Sequence, residues 1–294
     1  MSNIVIFYKS SKLANSPNEL FKLLKNSTDQ YKFIFIVKSK KKLMRAIIKH
    51  KGRPIIIHFH NKIINLPYPK NVKKIIHYHS EPTKVRLKVP NDYYKLVLNQ
   101  YHCTLPQYKK CNDIVRNFYN NNKEIIFNDK IKVGYYPSTI LRENQYYDKG
   151  FLPTTKILFK LKRKYPNVIF DIAHKISYKQ CMTRKRDCHI LIDECVTGSF
   201  HKTTIEGLML GCNVIVHINS KINKIHNKLY SQTLPVCDTK IGKLEETLEE
   251  LLQMPKEVLE KKALDAHEKF KNYWSNEIVA GEYLDIYKKI FKKK

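Results

Sequence analysis

Glycine is scarce in this chain, with eight residues in 294 and none before Gly52. That scarcity excludes two common phosphate cradles: a GxGxxG turn needs glycines where the first strand meets the first helix, and no GxxxxGK[ST] loop occurs. A bound phosphate would have to be met by Lys, Arg, Ser, Thr or a helix N-terminus. Long apolar runs are missing too. The longest, such as FIFIV (33–37) and PIIIHF (54–59), are strand-sized, far short of the roughly 20 residues that span a bilayer. The opening MSNIVIFYKSS has neither the basic start nor the long apolar stretch of a secretory signal, so a cytoplasmic location, host cytoplasm if viral and at most peripheral to a membrane, is expected. The seven cysteines include no CxxC pair, which gives no disulfide framework and no zinc knuckle. Cys181, Cys188 and Cys195, spaced by seven, are expected to be reduced thiols acting as small hydrophobes. Acid is the last shortage: 26 Asp and Glu face 55 Lys and Arg, for a net charge of +29. Such a potential attracts polyanions, whether nucleic acid, an anionic membrane surface or a phosphorylated substrate. The lysines are dispersed, and most suit a solvated coat.

What is present points to a folded protein. Hydrophobic residues make up 43%, with 19 Tyr and 13 Phe, more apolar surface than a disordered chain leaves in water. The length suits two domains. From the N-terminus, NIVIFY predicts a strand, PNELFKLLKN a helix, KFIFIV a strand, residues 40–51 a basic helix, and PIIIHF, VKKIIHYH and YKLVLN three more strands. A second cycle starts near 131: strand KIKVGYYP, helix PTTKILFKLKRKYP, strand NVIFDIAH, helix SYKQCMTRKRD, strand CHILIDE, helix TTIEGLMLG and strand CNVIVH. Unalternating apolar strands suit parallel sheets covered on both faces, and their alternation with helices predicts an α/β architecture of two Rossmann-like halves. Beyond 240 the pattern is helical, broken at Pro255.

The stretch DCHILIDECVTGSFHKTTIEGLMLGCNVIVH carries the chemistry: a strand, a small turn, a helix bearing one carboxylate, Glu206, and a second strand. A carboxylate accepts two hydroxyl hydrogen bonds at fixed spacing, which suits a vicinal diol, and a helix start attracts an anion. The stretch resembles the donor-binding segment of the large retaining "group 1" family of GT-B glycosyltransferases. LRENQYYDKGF (141–151) resembles that family's Arg and Lys-Gly at the start of its second domain. PIIIHFHN, KKIIHYHSEP, LVLNQYHCTLPQY and the closing HEKFKNYWSNEIVAGEYLDIYKKI resemble its first-domain strand ends and final helices.

The resemblance implies a GT-B fold: two Rossmann-like domains facing a cleft, closed by C-terminal helices, with boundaries expected at 1–133, 134–274 and 275–294. It implies transfer of a sugar from a nucleotide-diphosphate sugar to a hydroxyl acceptor with retention, with no metal and no other cofactor required. The polyanionic acceptor suggested by the charge would be DNA carrying a hydroxymethylated base or a lipid-linked or surface glycan, and no obligate protein partner is evident. Glu206 would hold the ribose hydroxyls, Ser199, Phe200, His201, Lys202, Thr203 and Thr204 would meet the diphosphate, and Arg142 and Lys149 would neutralise it. On the acceptor side the candidates are Ser10, Ser11, His60 and His79, with His79, Lys149 and Glu206 as the catalytic set. Where the family often has a first glutamate, this chain has Gly198; Glu194 is the nearest substitute. His58, His60, His77 and His79 fall at strand ends, where ligand crevices form. An HxH pair can also hold a metal, but the sequence shows no third ligand. Two rival readings are a non-catalytic nucleic-acid-binding protein on an inherited GT-B fold and a sugar epimerase of the same double-Rossmann architecture.

Overall fold

In a computed structural model, residues 2–9, 16–79, 89–119, 124–137 and 149–292 are described below. They divide into two compact units, one comprising Met1–Asn120 with Trp274–Lys294, the other Asn121–Tyr273.

The first unit is built on a parallel six-stranded sheet: β1 (Asn3–Lys9), β2 (Tyr31–Val37), β3 (Ile55–His60), β4 (Val72–Tyr78), β5 (Tyr93–Leu98) and β6 (Asp113–Val115). Their order across the sheet is β2-β1-β3-β4-β5-β6. Ile4 to Phe7 and Ile55 to Ile57 are fully buried, as expected for inner parallel strands covered on both faces. The helices are α1 (Ser16–Ser27), α2 (Lys40–Lys49) and, from the C-terminus, α9 (Asn276–Lys292). Ser39 caps α2 by accepting from the Lys42 N–H at 3.1 Å. α9 presents Val279, Tyr283, Ile286, Tyr287 and Ile290 inward at helical spacing. Trp274 belongs to this unit, its indole N–H donating to the Asn117 carbonyl at 2.8 Å.

The second unit holds a parallel five-stranded sheet in the order β11-β10-β9-β7-β8, from β7 (Lys132–Tyr135), β8 (Ile169–Ile172), β9 (Ile190–Ile192), β10 (Asn213–Val216) and β11 (Cys237–Asp238). Its helices are α3 (Phe151–Lys164), α4 (Tyr178–Lys185), α5 (Lys202–Met209), α6 (Ser220–Tyr230), α7 (Leu244–Leu252) and α8 (Lys256–Trp274), the last reaching the division between units. Val133, Tyr135, Leu158, Leu161, Ile190, Ile192, Leu244, Leu248 and Leu259 share one core. Gly207 lets α5 lie against the sheet: a Cβ there would stand 2.7 Å from both Leu191 and Val214.

The predicted strand and helix alternation is present, and the fold is α/β with two parallel sheets. β6 and β11, of three and two residues, are too short to leave a pattern. α6 was not expected either: its sequence, SKINKIHNKLY, is polar, and its start is fixed by the Asn219 side chain accepting from the Ile222 N–H at 3.1 Å. The first unit gives way to the second at Asn120/Asn121, ahead of β7.

Candidate functional site

Both sheets contain a topological switch point, where the chain leaves one strand outward and returns on its other side. In the second unit it lies between β7 and β9, since β8 is added on one flank of β7 and β9 on the other. Crevices at the carboxyl ends of such strands are where open α/β sheets hold ligands. Here the β7 side supplies Lys149 and Gly150, which caps α3 with φ +67°. The β9 side supplies Asp193, Glu194 and the turn into α5.

Asp193 organises the crevice. It is 3% exposed, and its Oδ2 accepts from the His201 N–H and the Thr204 hydroxyl, each at 2.7 Å. Its Oδ1 faces His201 Nδ1 at 3.5 Å and Lys149 Nζ at 3.7 Å. Burial alone would raise the carboxyl; His201 and Lys149 oppose it, and with the hydrogen bonds they hold Asp193 well below the usual carboxylate range. The result is an ionised acid that fixes a lysine and a histidine at the crevice.

Glu194 does a different job. Its Oε2 accepts from the N–H groups of Val196 and Thr197 at 2.8 and 2.7 Å, and its Oε1 from the Ser199 N–H at 3.2 Å and from the Thr197 hydroxyl. The 196–199 turn is thus wrapped around a fully buried carboxylate. Gly198 completes it with φ +74°, and a Cβ there would come 3.1 Å from Asn219 Cβ. Glu194 has no oxygen left to replace the acid absent at Gly198.

Glu206 is on the second turn of α5 and only 3% exposed. Its Oε2 takes Lys185 Nζ at 2.6 Å, in a pair whose side chains are 2% and 3% exposed. Its Oε1 accepts from the Tyr178 hydroxyl at 3.2 Å and lies 3.8 Å from Lys202 Nζ. Lys202 in turn sits 4.9 Å over the Tyr178 ring. Burial alone would lower the Lys185 ammonium, but Glu206, together with Cys181 and Asp193, more than offsets this and raises it. The sequence reading of a lone acid therefore gives way to an acid already countered by a cation on α4.

The other expected contacts fall as follows. Ser199 and Phe200 are buried, and the Phe200 ring meets His226 edge-on at 5.1 Å, so its side chain belongs to the interior. The N–H groups of Ser199 and His201 are taken by Glu194 and Asp193, while the Thr203 N–H has no partner among the described residues. His79 is half-buried and 2.8 Å from His60 Nδ1; His60 itself is fully buried. Ser10, Ser11 and Arg142 lie outside the described residues. Three site residues escaped sequence reasoning: Asp193, Lys185 and Tyr178. The polar pair closing the apolar run HILI was a signal for Asp193; nothing marked Lys185 among 55 basic residues.

Two parallel α/β sheets with ligand crevices at their switch points define the GT-B class of fold, and comparison with solved structures supports this over nearly the whole chain. A mutant of the Thermobaculum terrenum O-GlcNAc transferase aligns with TM-score 0.60 at 10% identity, over 99% of this chain and 68% of that one. Anabaena HepE in complex with UDP and glucose gives 0.60 at 9% identity, over 98% and 100%. A Rickettsia africae glycosyltransferase gives 0.57 at 12%, over all of both chains. No protein-family model and no curated sequence matches. At such identities the likeness establishes the fold.

Proposed function

We propose that this protein transfers a sugar from a nucleotide-diphosphate sugar to a hydroxyl on a polyanionic acceptor, with retention at the anomeric carbon. The supporting observation is the convergence of Lys149, His201 and the first turn of α5 on buried Asp193 at the β7/β9 switch point. Charge grows on the diphosphate as the sugar departs, and donors already in place stabilise it without rearranging. Lys149 supplies the cation and the Thr203 N–H a fixed donor; Asp193 is a positioning residue. Glu206 presents Oε1, where a ribose hydroxyl takes the place of the Tyr178 phenol, while Lys185 fixes Oε2. His79 meets the transferred sugar or the acceptor, and the departing phosphate accepts the acceptor's proton. The donor step needs no metal.

The UDP complex among the structural neighbours makes uridine nucleotides the first donors to test. A thermal-shift screen of nucleotide sugars should find one that raises the unfolding midpoint strongly, since binding to the native state alone stabilises by RT ln(1 + [L]/Kd). Lys149→Ala and Glu206→Ala should lose transfer from that donor; full activity in both sinks these assignments. The charge of +29 supports the polyanion, either modified-base DNA or a lipid-linked glycan. A DNA acceptor predicts binding that weakens steeply with salt through counterion release, and a membrane acceptor predicts sedimentation with anionic vesicles.

A further inference from the structure

The first unit contains a second group of side chains with no part in the donor crevice. His58 and His60 are two apart on β3 and share a face; His77 on β4 pairs in register with His60. All three are fully buried. One ring nitrogen from each lies within 4.8 Å of the other two. The rings crowd together, with centroids 4.6 Å apart for His58 and His60, 5.4 Å for His58 and His77 and 5.7 Å for His60 and His77.

The hydrogen bonding of these rings is incomplete in a particular way. His58 Nδ1 lies 2.8 Å from the Tyr287 hydroxyl of α9, and His60 Nδ1 2.8 Å from His79 Nε2. His58 Nε2, His60 Nε2 and both nitrogens of His77 are buried with no partner among the described residues. A buried polar atom left unsatisfied costs about 1–3 kcal/mol. Three of these four, one from each ring, can share a common partner. If the two engaged Nδ1 atoms carry their protons toward Tyr287 and His79, the Nε2 atoms keep lone pairs. Outer hydrogen bonds of that kind orient metal-bound imidazoles.

We propose that His58, His60 and His77 form a three-histidine site for a divalent transition-metal ion, zinc foremost, with water or hydroxide completing the coordination. Three neutral imidazoles without a carboxylate suit zinc, copper, nickel or cobalt and not magnesium or calcium. Tetrahedral zinc with 2.0–2.1 Å bonds separates its ligand nitrogens by about 3.3 Å, so small ring rotations close the triangle. The ion would tie β3 to β4 and, through Tyr287, brace α9. The sequence shows two HxH pairs but no third ligand; the parallel β3/β4 register provides it.

The test is titration of the untagged, chelator-stripped full chain with Co2+. One equivalent should give the visible d–d bands of a four-coordinate site, and one equivalent of Zn2+ should bleach them and raise the thermal midpoint. His77→Gln and His60→Gln should each weaken binding at least a hundredfold, while His174→Gln, at an exposed histidine of the second unit, should bind like wild type. Absence of stoichiometric Co2+ or Zn2+ binding by wild type overturns the proposal whatever the variants do. So does undiminished binding by a His77→Gln or His60→Gln protein with a native circular dichroism spectrum.

Discussion

Replacing Lys185 by Met tests whether the Lys185–Glu206 pair is as desolvated as its burial indicates. The nitrogen and oxygen are 2.6 Å apart, a gross attraction of about 6 kcal/mol at an effective dielectric constant near 20. Most of that is offset by taking both charges out of water, so the quantity that matters is the cost of stranding one of them, about 3–5 kcal/mol. Lys185→Met leaves Glu206 with Lys202 at 3.8 Å and the Tyr178 hydroxyl, so the loss should sit near 3 kcal/mol. In a domain of about 150 residues that lowers the thermal midpoint by roughly 6–12 °C. Glu206→Leu should cost more, about 4 kcal/mol, because the hydrogen bonds of the Lys185 ammonium then go to uncharged groups, the Thr203 hydroxyl at 3.2 Å and the Cys181 thiol. The double variant buries an apolar pair in place of two charges and should recover to within about 1 kcal/mol of wild type, a coupling well above 2 kcal/mol. Urea unfolding of all four proteins gives the cycle. If Lys185→Met moves the midpoint by less than 2 °C, or the double variant is additive, the pair is hydrated and the reasoning fails. A stable double variant should still fail to bind a donor, which separates the fold role of Glu206 from its proposed ribose contact.

Three further outcomes follow from the turn around Glu194. Asp193 is held below the usual carboxylate range, so its contribution to stability is complete above its unfolded value near 4 and is lost as pH falls below that. Asp193→Asn should flatten the fall of the urea midpoint between pH 4 and 2 and weaken donor binding at pH 7. Glu194→Gln points an amide at N–H donors that a carboxylate satisfied, and should cost about 2–3 kcal/mol, read by denaturation, with more rapid proteolysis within 196–199. Gly198→Ala places a Cβ at φ +74° and 3.1 Å from Asn219 Cβ; strain of about 1–2 kcal/mol in the thermal midpoint is expected, and an alanine variant as stable as wild type contradicts the left-handed turn.

Much of the architecture is legible in the chain because parallel strands buried on both faces have no polar partner to alternate with: NIVIFY, PIIIHF and CHILIDE announce themselves. What the sequence hides are elements whose reason to exist is a neighbour. β11 is two residues paired to Ile215 and Val216, and α6 is polar on most of its surface with Ile222 and His226 buried. The site divides in the same way. Lys149 and Glu206 stand in recognisable local patterns, whereas Lys185 is one basic residue among 55 until α4 and α5 are seen to bring it to Glu206. The histidine cluster needs the β3/β4 register before His77 joins His58 and His60.

The acid shortage, the most conspicuous property of the composition, acquires its meaning here. With 26 acids in 294 residues, the three that are buried among the described residues, Asp193, Glu194 and Glu206, all fall within fourteen positions of one turn and helix. A buried carboxylate persists only where enough donors surround it, and the three use different ones: Asp193 a lysine, a histidine and the start of α5, Glu194 the N–H groups of its own turn, Glu206 a lysine from α4. Glu194 is therefore a folding residue, and the acid absent at Gly198 is not replaced by its neighbour. A sugar bound beside this turn would meet its backbone and not a carboxylate at that position. Substitution of Glu194 should then cost stability and leave selectivity for the transferred sugar unchanged, once that loss is accounted for; the ratio of kcat/KM for two donors sharing a base measures it, and a changed ratio in a folded Glu194→Gln protein refutes the assignment.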